Sequence, residues 1–265
     1  MIGAGPLASL STGISTDRFT APDGVELVWH EMGPGEPGAR PVLLLHGYFS
    51  DANTNWIKYG HAAVIAARGF RVIMPDLRAH GASGKPHEAA AYPPDILADD
   101  GLALVAHLGL TDYDLGGYSL GGRTTARMLA RGAAPRRAII GGMGLQGLVS
   151  TGDRADHFRS VLTDLDTHER GSPEFLAAAF LKTTGGDPVA LLGLLDSFVD
   201  TPAETMATFE LPVLVVCGSD DDDNGSASAL AELLPQGSLA IVPGNHMSAV
   251  VKRELGAAMA DFLAA

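Results

Sequence analysis

Tyr113-Asp114-Leu115-Gly116-Gly117-Tyr118-Ser119-Leu120-Gly121-Gly122-Arg123 is the stretch on which the reading of this chain turns. A strand-like run, Tyr113 to Gly116, enters Gly-x-Ser-x-Gly, and a helical pattern from Arg123 to Ala130 leaves it. A turn this tight forces its central residue into strained backbone geometry, and glycines two before and two after remove side chains that would clash. The Ser119 hydroxyl then stands above the strand end at the N-terminus of the next helix, where developing negative charge is favoured. The five-residue pattern is weak in a chain with 33 glycines; its strand and helix flanks make it specific.

The same rhythm continues outward. Short apolar runs recur at Pro41–Leu45, Arg71–Met74, Ala138–Ile140, Pro212–Val216 and Leu239–Val242, each closed by Gly or Pro. Runs of this length suit strands buried on both faces of a parallel sheet. Helical patterns lie between them, near 53–68, 94–109, 121–132, 225–234 and 247–263. Alternation at this spacing predicts an α/β fold with helices on both faces of an open sheet. Val25-Glu26-Leu27-Val28-Trp29 alternates after a Pro22-Asp23-Gly24 turn and predicts an antiparallel hairpin at the sheet edge.

Residues 147–209 break the rhythm. They carry no strand signal but three helix starts, Ser172-Pro173-Glu174, Asp187-Pro188-Val189 and Thr201-Pro202-Ala203-Glu204, each with a capping side chain before a proline. The last also has the spacing of a capping box. Leu191, Leu192, Leu194, Leu195, Phe198 and Val199 give the middle helix a broad apolar face. The segment is expected to be a helical cap over the strand ends, inserted into a core of residues 1–146 and 210–265.

Composition bounds the function. The chain has 265 residues, 46% of them hydrophobic, and a net charge of −13. That is too apolar for disorder, long enough for one sizeable core, and too acidic to favour nucleic acid or anionic lipid as a partner. No apolar run approaches the roughly 20 residues of a membrane span. Met1–Leu10 has neither the basic start nor the long apolar run of a secretory signal, so a soluble, cytoplasmic protein is expected. A single cysteine, Cys217, allows no internal disulfide and no cysteine zinc cluster.

A serine hydroxyl needs a base. Of nine histidines, His246 follows the last apolar run in Pro243-Gly244-Asn245-His246-Met247, on a loop expected at the same sheet end as Ser119. His157 and His168 lie among charges and read as solvated, His107 falls within a helix pattern, and His30, His61 and His87 have no motif around them. The base needs a carboxylate to fix its tautomer, and Asp220, Asp221, Asp222 and Asp223 all follow the Val213–Cys217 run. The same run gives a partial calcium-loop pattern at Asp220, Asp222, Asn224 and Gly225, but the closing acidic position is Ala231, with Glu232 one residue late.

Taken together, these motifs resemble the α/β-hydrolase superfamily over nearly the whole chain. They stand in its order: His46-Gly47 after the third strand, Asp76-Leu77-Arg78-Ala79-His80-Gly81-Ala82-Ser83 after the fourth, Gly117–Gly121 at the nucleophile elbow, an acid after the seventh and His246 after the eighth. The resemblance implies a mostly parallel eight-stranded sheet flanked by helices. It implies oxyanion-hole amides at Tyr48 and Leu120, and it favours Asp221, three residues after Gly218, as the acid, with Asp220 and Asp222 as alternatives. Ala79 departs mildly from the family's usual glycine. Serine rather than aspartate at the elbow disfavours the haloalkane dehalogenase and epoxide hydrolase branches, and no tryptophan follows His46-Gly47 or flanks Ser119. Tyr118 is expected to pack the elbow.

The resulting expectation is a serine hydrolase acting on a small-molecule carboxylic ester, with no metal or organic cofactor. Phe49, Met143, Leu145 and Met247, next to motif residues, are candidate pocket walls. A lactonase, thioesterase, perhydrolase or carbon–carbon hydrolase would carry nearly the same motifs. So would a slow-turnover ligand receptor of this fold.

Overall fold

The computed structural model describes residues 13–34 and 38–265, so the reading of Met1–Leu10 lies outside the described residues. Eight strands form one sheet: β1 (Ser15–Thr20), β2 (Glu26–Met32), β3 (Pro41–Leu45), β4 (Arg71–Pro75), β5 (Asp114–Tyr118), β6 (Ala138–Gly141), β7 (Val213–Gly218) and β8 (Gly237–Val242). Their spatial order is β1-β2-β4-β3-β5-β6-β7-β8. The hairpin β1–β2 runs antiparallel, as does β2 against β4; every later pairing is parallel. This is the mostly parallel eight-stranded sheet expected.

The central strands are apolar throughout because each face meets helices. On β3, Leu43 and Leu45 join one core with Ile73 and Leu115, while Val42 and Leu44 join the opposite core with Val72 and Met74. The first core is covered by α2 (Ile96–His107), and the second by α1 (His61–Ala66) and α11 (Arg253–Ala264). Fully burying such a side chain contributes about 1.5–3 kcal/mol. β8 departs from the reading of Leu239–Val242 as buried on both faces: it is an edge strand, and Leu239 and Ile241 are exposed.

Five helices fill the interval between β6 and β7: α4 (Leu145–Val149), α5 (Gly152–Thr163), α6 (Pro173–Thr184), α7 (Pro188–Leu195) and α8 (Ala203–Met206). Ser172 caps α6 by accepting from the Phe175 amide, and Asp187 caps α7 by accepting from Val189 and Ala190. The capping box expected at Thr201–Glu204 does not form. The Thr201 amide instead donates to Leu148 O, its buried hydroxyl has no partner, and Pro202 becomes the residue before α8. α4 and α5 have no side-chain cap, so nothing local announces their starts.

The remaining elements place the loops above the strand ends. α3 (Leu120–Ala130) leaves β5, α9 (Ala227–Leu233) links β7 to β8, and the short α10 (His246–Ala249) follows β8. The single helix expected near 247–263 is therefore two, α10 and α11. No described helix is long and apolar enough to cross a membrane.

Candidate active site

Ser119 sits between β5 and α3 at φ 55°, ψ −114°, a conformation that side-chain-bearing residues rarely adopt. Two glycines make this possible. A Cβ on Gly121 would lie 1.9 Å from Leu45 O, and one on Gly117 would lie 2.3 Å from the Gly121 backbone. The Ser119 amide donates to Gly141 O on the neighbouring strand, and its carbonyl starts α3 by accepting from Arg123. The elbow is thus held by its strand neighbours on both sides.

His246 reaches Ser119 from the loop that follows the edge strand β8. Asn245 caps α10 in a reciprocal capping box with Ser248, which fixes the backbone at His246. The Tyr118 hydroxyl donates to His246 O at 2.8 Å, and the two rings lie 5.5 Å apart. Tyr118 therefore packs the elbow, as expected, and also ties it to the histidine loop. His246 Nε2 is 2.9 Å from Ser119 Oγ.

Asp221 completes the chain. Its Oδ2 is 3.0 Å from His246 Nδ1, and its side chain is 1% exposed. An ionised carboxylate only accepts, so Nδ1 carries the proton and Nε2 accepts from the serine hydroxyl. Burial pushes the Asp221 carboxyl up, but the His246 hydrogen bond and charge outweigh it and hold it below the usual carboxylate range. The Asp223 amide and the Cys217 thiol donate to the same carboxylate. Two loop contacts pick Asp221 out of the acidic run: the Ser219 amide donates to Val242 O and the Asp220 amide to Gly244 O, clamping the β7 loop to the β8 loop. Asp220 and Asp222 are exposed, and Asp223 pairs with Arg154 at 2.9 Å.

The two amides singled out for an oxyanion flank this serine. The N–H groups of Tyr48 and Leu120 donate no hydrogen bond among the described residues. The loop carrying Tyr48 is fixed from three directions. His46 accepts from the Leu77 amide at 2.9 Å and donates to Gly47 O, the Asn55 side chain accepts from the Gly47 amide at 2.9 Å, and the Tyr48 hydroxyl donates to Leu191 O at 2.7 Å. Burial keeps His46 neutral, as this pattern requires. Asn55 has no motif signal, and its role is visible only in the fold.

The Asp76–Ser83 motif builds the wall behind that loop. Asp76 accepts from the amides of Ala52 and Ala82 and lies beside His30. Arg78 is buried and grips Asp100 with two hydrogen bonds, at 2.9 and 2.8 Å. Burial pushes His80 down to about 3, so it is neutral. Ala79 stands at φ 70°, the left-handed region, which explains why glycine is the usual residue there.

A cleft of about 220 Å³ opens beside Ser119 and His246, lined by Tyr48, Asn55, Tyr59, Tyr118, Phe180, Met247, Val250 and Val251 among others. Of the candidate walls, Met247 lines it. Met143 lines a separate, narrow hollow that shares Tyr48 and Ser119 with the cleft but lacks His246. Phe49 and Leu145 line neither: Phe49, at φ 61°, turns away to stack against Tyr48 and Phe158, and Leu145 packs in the core around α9. His157 and His168 are half-buried and in contact with Glu174 and Val161 rather than solvated. The calcium-loop pattern is not assembled, because Asn224 turns inward to donate to Gly142 O. Donor atoms of Asp221, Asp223 and His246 fall within 4.8 Å of one another, but the first and last bond each other and Asp223 bonds Arg154.

A family model described as the alpha/beta hydrolase fold matches residues 40–140. A non-heme haloperoxidase of Rhodococcus erythropolis is 38% identical over 122 residues, 45% of this chain and 40% of that protein. An epoxide hydrolase of Caballeronia sordidicola is 34% identical over 42% of this chain and 31% of its own. The chain thus aligns with well under half the length of these relatives. An esterase structure from Exiguobacterium antarcticum superposes with a TM-score of 0.75 at 18% identity, over 94% of this chain and 99% of that one.

Proposed function

Because the chain is a member of the α/β-hydrolase superfamily, we propose that it is a serine hydrolase cleaving carboxylic esters through an acyl-enzyme. The observation that carries this reading is the unbroken chain from Asp221 through His246 to Ser119, ending at a serine in strained elbow geometry. His246 Nε2 takes the Ser119 proton as Oγ attacks the ester carbonyl, and the new oxyanion faces the free amides of Tyr48 and Leu120. His246 then gives that proton to the leaving alkoxide. Water, deprotonated by His246, attacks the acyl-enzyme, and collapse of the second intermediate returns the proton to Ser119 and releases the acid. Asp221 holds the imidazole in the required tautomer and stabilises the imidazolium. Epoxide opening in this fold uses a carboxylate nucleophile, and Ser119 stands in that position.

We assign residues 147–209 as a cap over the site. Support comes from the contacts they make with the catalytic loops: Leu191 O accepts from Tyr48, Thr184 Oγ1 donates to Phe49 O at 2.7 Å, and Phe180 lines the cleft. A cleft with this apolar lining suits a small organic ester.

The test is intact mass after fluorophosphonate treatment, alongside turnover of nitrophenyl esters. One adduct on the parent, none on Ser119→Ala, and a kcat lowered by several orders of magnitude in that variant are expected. Turnover by Ser119→Ala close to that of the parent refutes the assignment.

A further inference from the structure

One charged side chain beside the nucleophile has no role in the chemistry above. Arg123 lies one helical turn after Ser119, where its amide donates to Ser119 O. It is 6% exposed, and among the described residues it has no carboxylate within salt-bridge distance and no hydrogen-bond partner for its buried Nη1. Its guanidinium lies over the face of Phe198, 5.4 Å from the ring centre. Burial pushes its pKa down to about 10, so it is still cationic at neutral pH. A buried, unpaired cation is strongly disfavoured unless something offsets it.

The nearby acids are committed elsewhere. Asp95 is gripped by Arg127, the next arginine along α3. Asp200 caps the Thr151 amide, and Asp223 holds Arg154. Arg123 lines two narrow spaces, one of about 20 Å³ beside Asp95 and Arg127, and a hollow of about 10 Å³ that also holds Ser119, Leu120, Met143, Arg154 and Phe158. In the second space two guanidiniums meet: Arg154 is paired with Asp223, whereas Arg123 feels the charge of Asp200 only from a distance, with no ion pair among the described residues.

The side of the serine on which this space lies decides what it receives. A leaving alkoxide must sit beside the base, so the larger cleft, which contains His246 and Met247, takes the alcohol half of the ester. The hollow contains Ser119 and Leu120 but not His246, so it takes the acyl half. Its outer wall is Arg154 and Phe158 on α5 together with Phe198, which must part to admit the chain.

Resting on the ester-hydrolase reading, we propose that the substrate's acyl group carries a carboxylate, so that the enzyme cleaves half-esters of short dicarboxylic acids and Arg123, assisted by Arg154, binds the free carboxylate. A planar guanidinium matches a carboxylate with two parallel hydrogen bonds, which a surface lysine would not.

The test compares monoethyl glutarate with ethyl pentanoate, which replaces the carboxylate by a methyl group at equal chain length. The full-length protein is expected to favour the half-ester by at least about tenfold in kcat/KM. In Arg123→Met, the half-ester to neutral-ester ratio falls on the order of a hundredfold, and Arg123→Lys lies between. Using a ratio divides out any loss common to both substrates. Should the methionine variant not fold, the parent alone decides: glutarate is expected to slow fluorophosphonate labelling of Ser119, and pentanoate to do so far less. A parent that prefers ethyl pentanoate, or a ratio unchanged in Arg123→Met, overturns the carboxylate assignment while leaving the serine hydrolase reading intact. No turnover of either ester and no adduct overturns both.

Discussion

Replacing Asp221 by Asn changes one buried oxygen for nitrogen and separates the catalytic acid from its neighbours in the acidic run. In the native site, Oδ2 faces His246 Nδ1 and the Cys217 thiol, while Oδ1 accepts from the Asp223 amide. Every group around the carboxylate is a donor. An asparagine with its NH2 toward His246 donates to Nδ1, which drives the imidazole proton onto Nε2 and leaves no lone pair facing Ser119. The flipped amide points its NH2 at the Asp223 N–H instead, donor against donor. The first arrangement keeps the fold and loses the base. The expected loss in kcat is about 10⁴-fold, as for the same change in an unrelated triad, or about 5 kcal/mol of barrier. The stability cost is smaller, about 1–3 kcal/mol. Asp223→Asn is the control: its carboxylate is 43% exposed and bonds Arg154 rather than His246, a pair worth about 0.2–1 kcal/mol, and the backbone amide that serves Asp221 survives the change. Initial rates on a nitrophenyl ester, with KM measured separately, give both numbers. Equal losses in the two variants, or an Asp221→Asn enzyme within tenfold of its parent, would refute the assignment.

Acid should unfold this protein through Asp76 and Asp221. Burial pushes the Asp76 carboxyl up, but the His30 hydrogen bond, the nearby His46 and the amides of Ala82 and Ala52 together hold it well below the usual range; Asp221 is lowered in the same sense. Both are depressed relative to an unfolded value of about 3.9, so their stabilisation is complete above that pH and is lost as pH falls below it. Melting temperature is expected to fall steeply below about pH 4 and less steeply in Asp76→Asn; parallel slopes would count against it. Ala79→Gly should be nearly neutral, within about 1 kcal/mol by urea denaturation, because relief of the left-handed backbone, roughly 1–2 kcal/mol, offsets the lost methyl and the added chain entropy. Ala126→Gly, equally buried but inside α3, lacks that compensation and should cost more; equal losses at both positions would contradict the strain argument.

What could be read from the chain alone divides by how far each constraint reaches. The elbow was legible because its whole pattern lies within five residues, although part of what demands the glycines comes from another strand: Leu45 O and the facing backbone leave no room for a Cβ at Gly121 and Gly117. His46-Gly47 and the Asp76–Ser83 motif are equally local turns. The acid was not legible from the run itself, since four consecutive aspartates have the same local chemistry; only the contacts from Ser219 and Asp220 to Val242 and Gly244, on another strand's loop, single out Asp221. The same limit misplaced the pocket walls. Phe49 and Leu145 are neighbours of motif residues along the chain, but a left-handed turn at Phe49 and the packing of α4 send both elsewhere.

The two kinds of failure have different physical origins. At Thr201 a good local signal lost to tertiary structure: the backbone spends its amide on Leu148 O, and the capping hydroxyl is left without a partner. At Arg123 no local signal existed, because one arginine on an amphipathic helix reads as an ordinary surface charge. Its neighbour Arg127 on the same helix is satisfied by Asp95, which precedes α2, and only the fold distinguishes the two. A sequence that keeps an arginine where leucine would pack must offset its desolvation elsewhere. Here no described acid pairs with it directly, Asp200 acting only from a distance, and the side chain lines a hollow next to the nucleophile. The cost of leaving that cation unpaired is recovered when a substrate carboxylate enters, which makes the same residue unfavourable for the empty fold and selective for the loaded one.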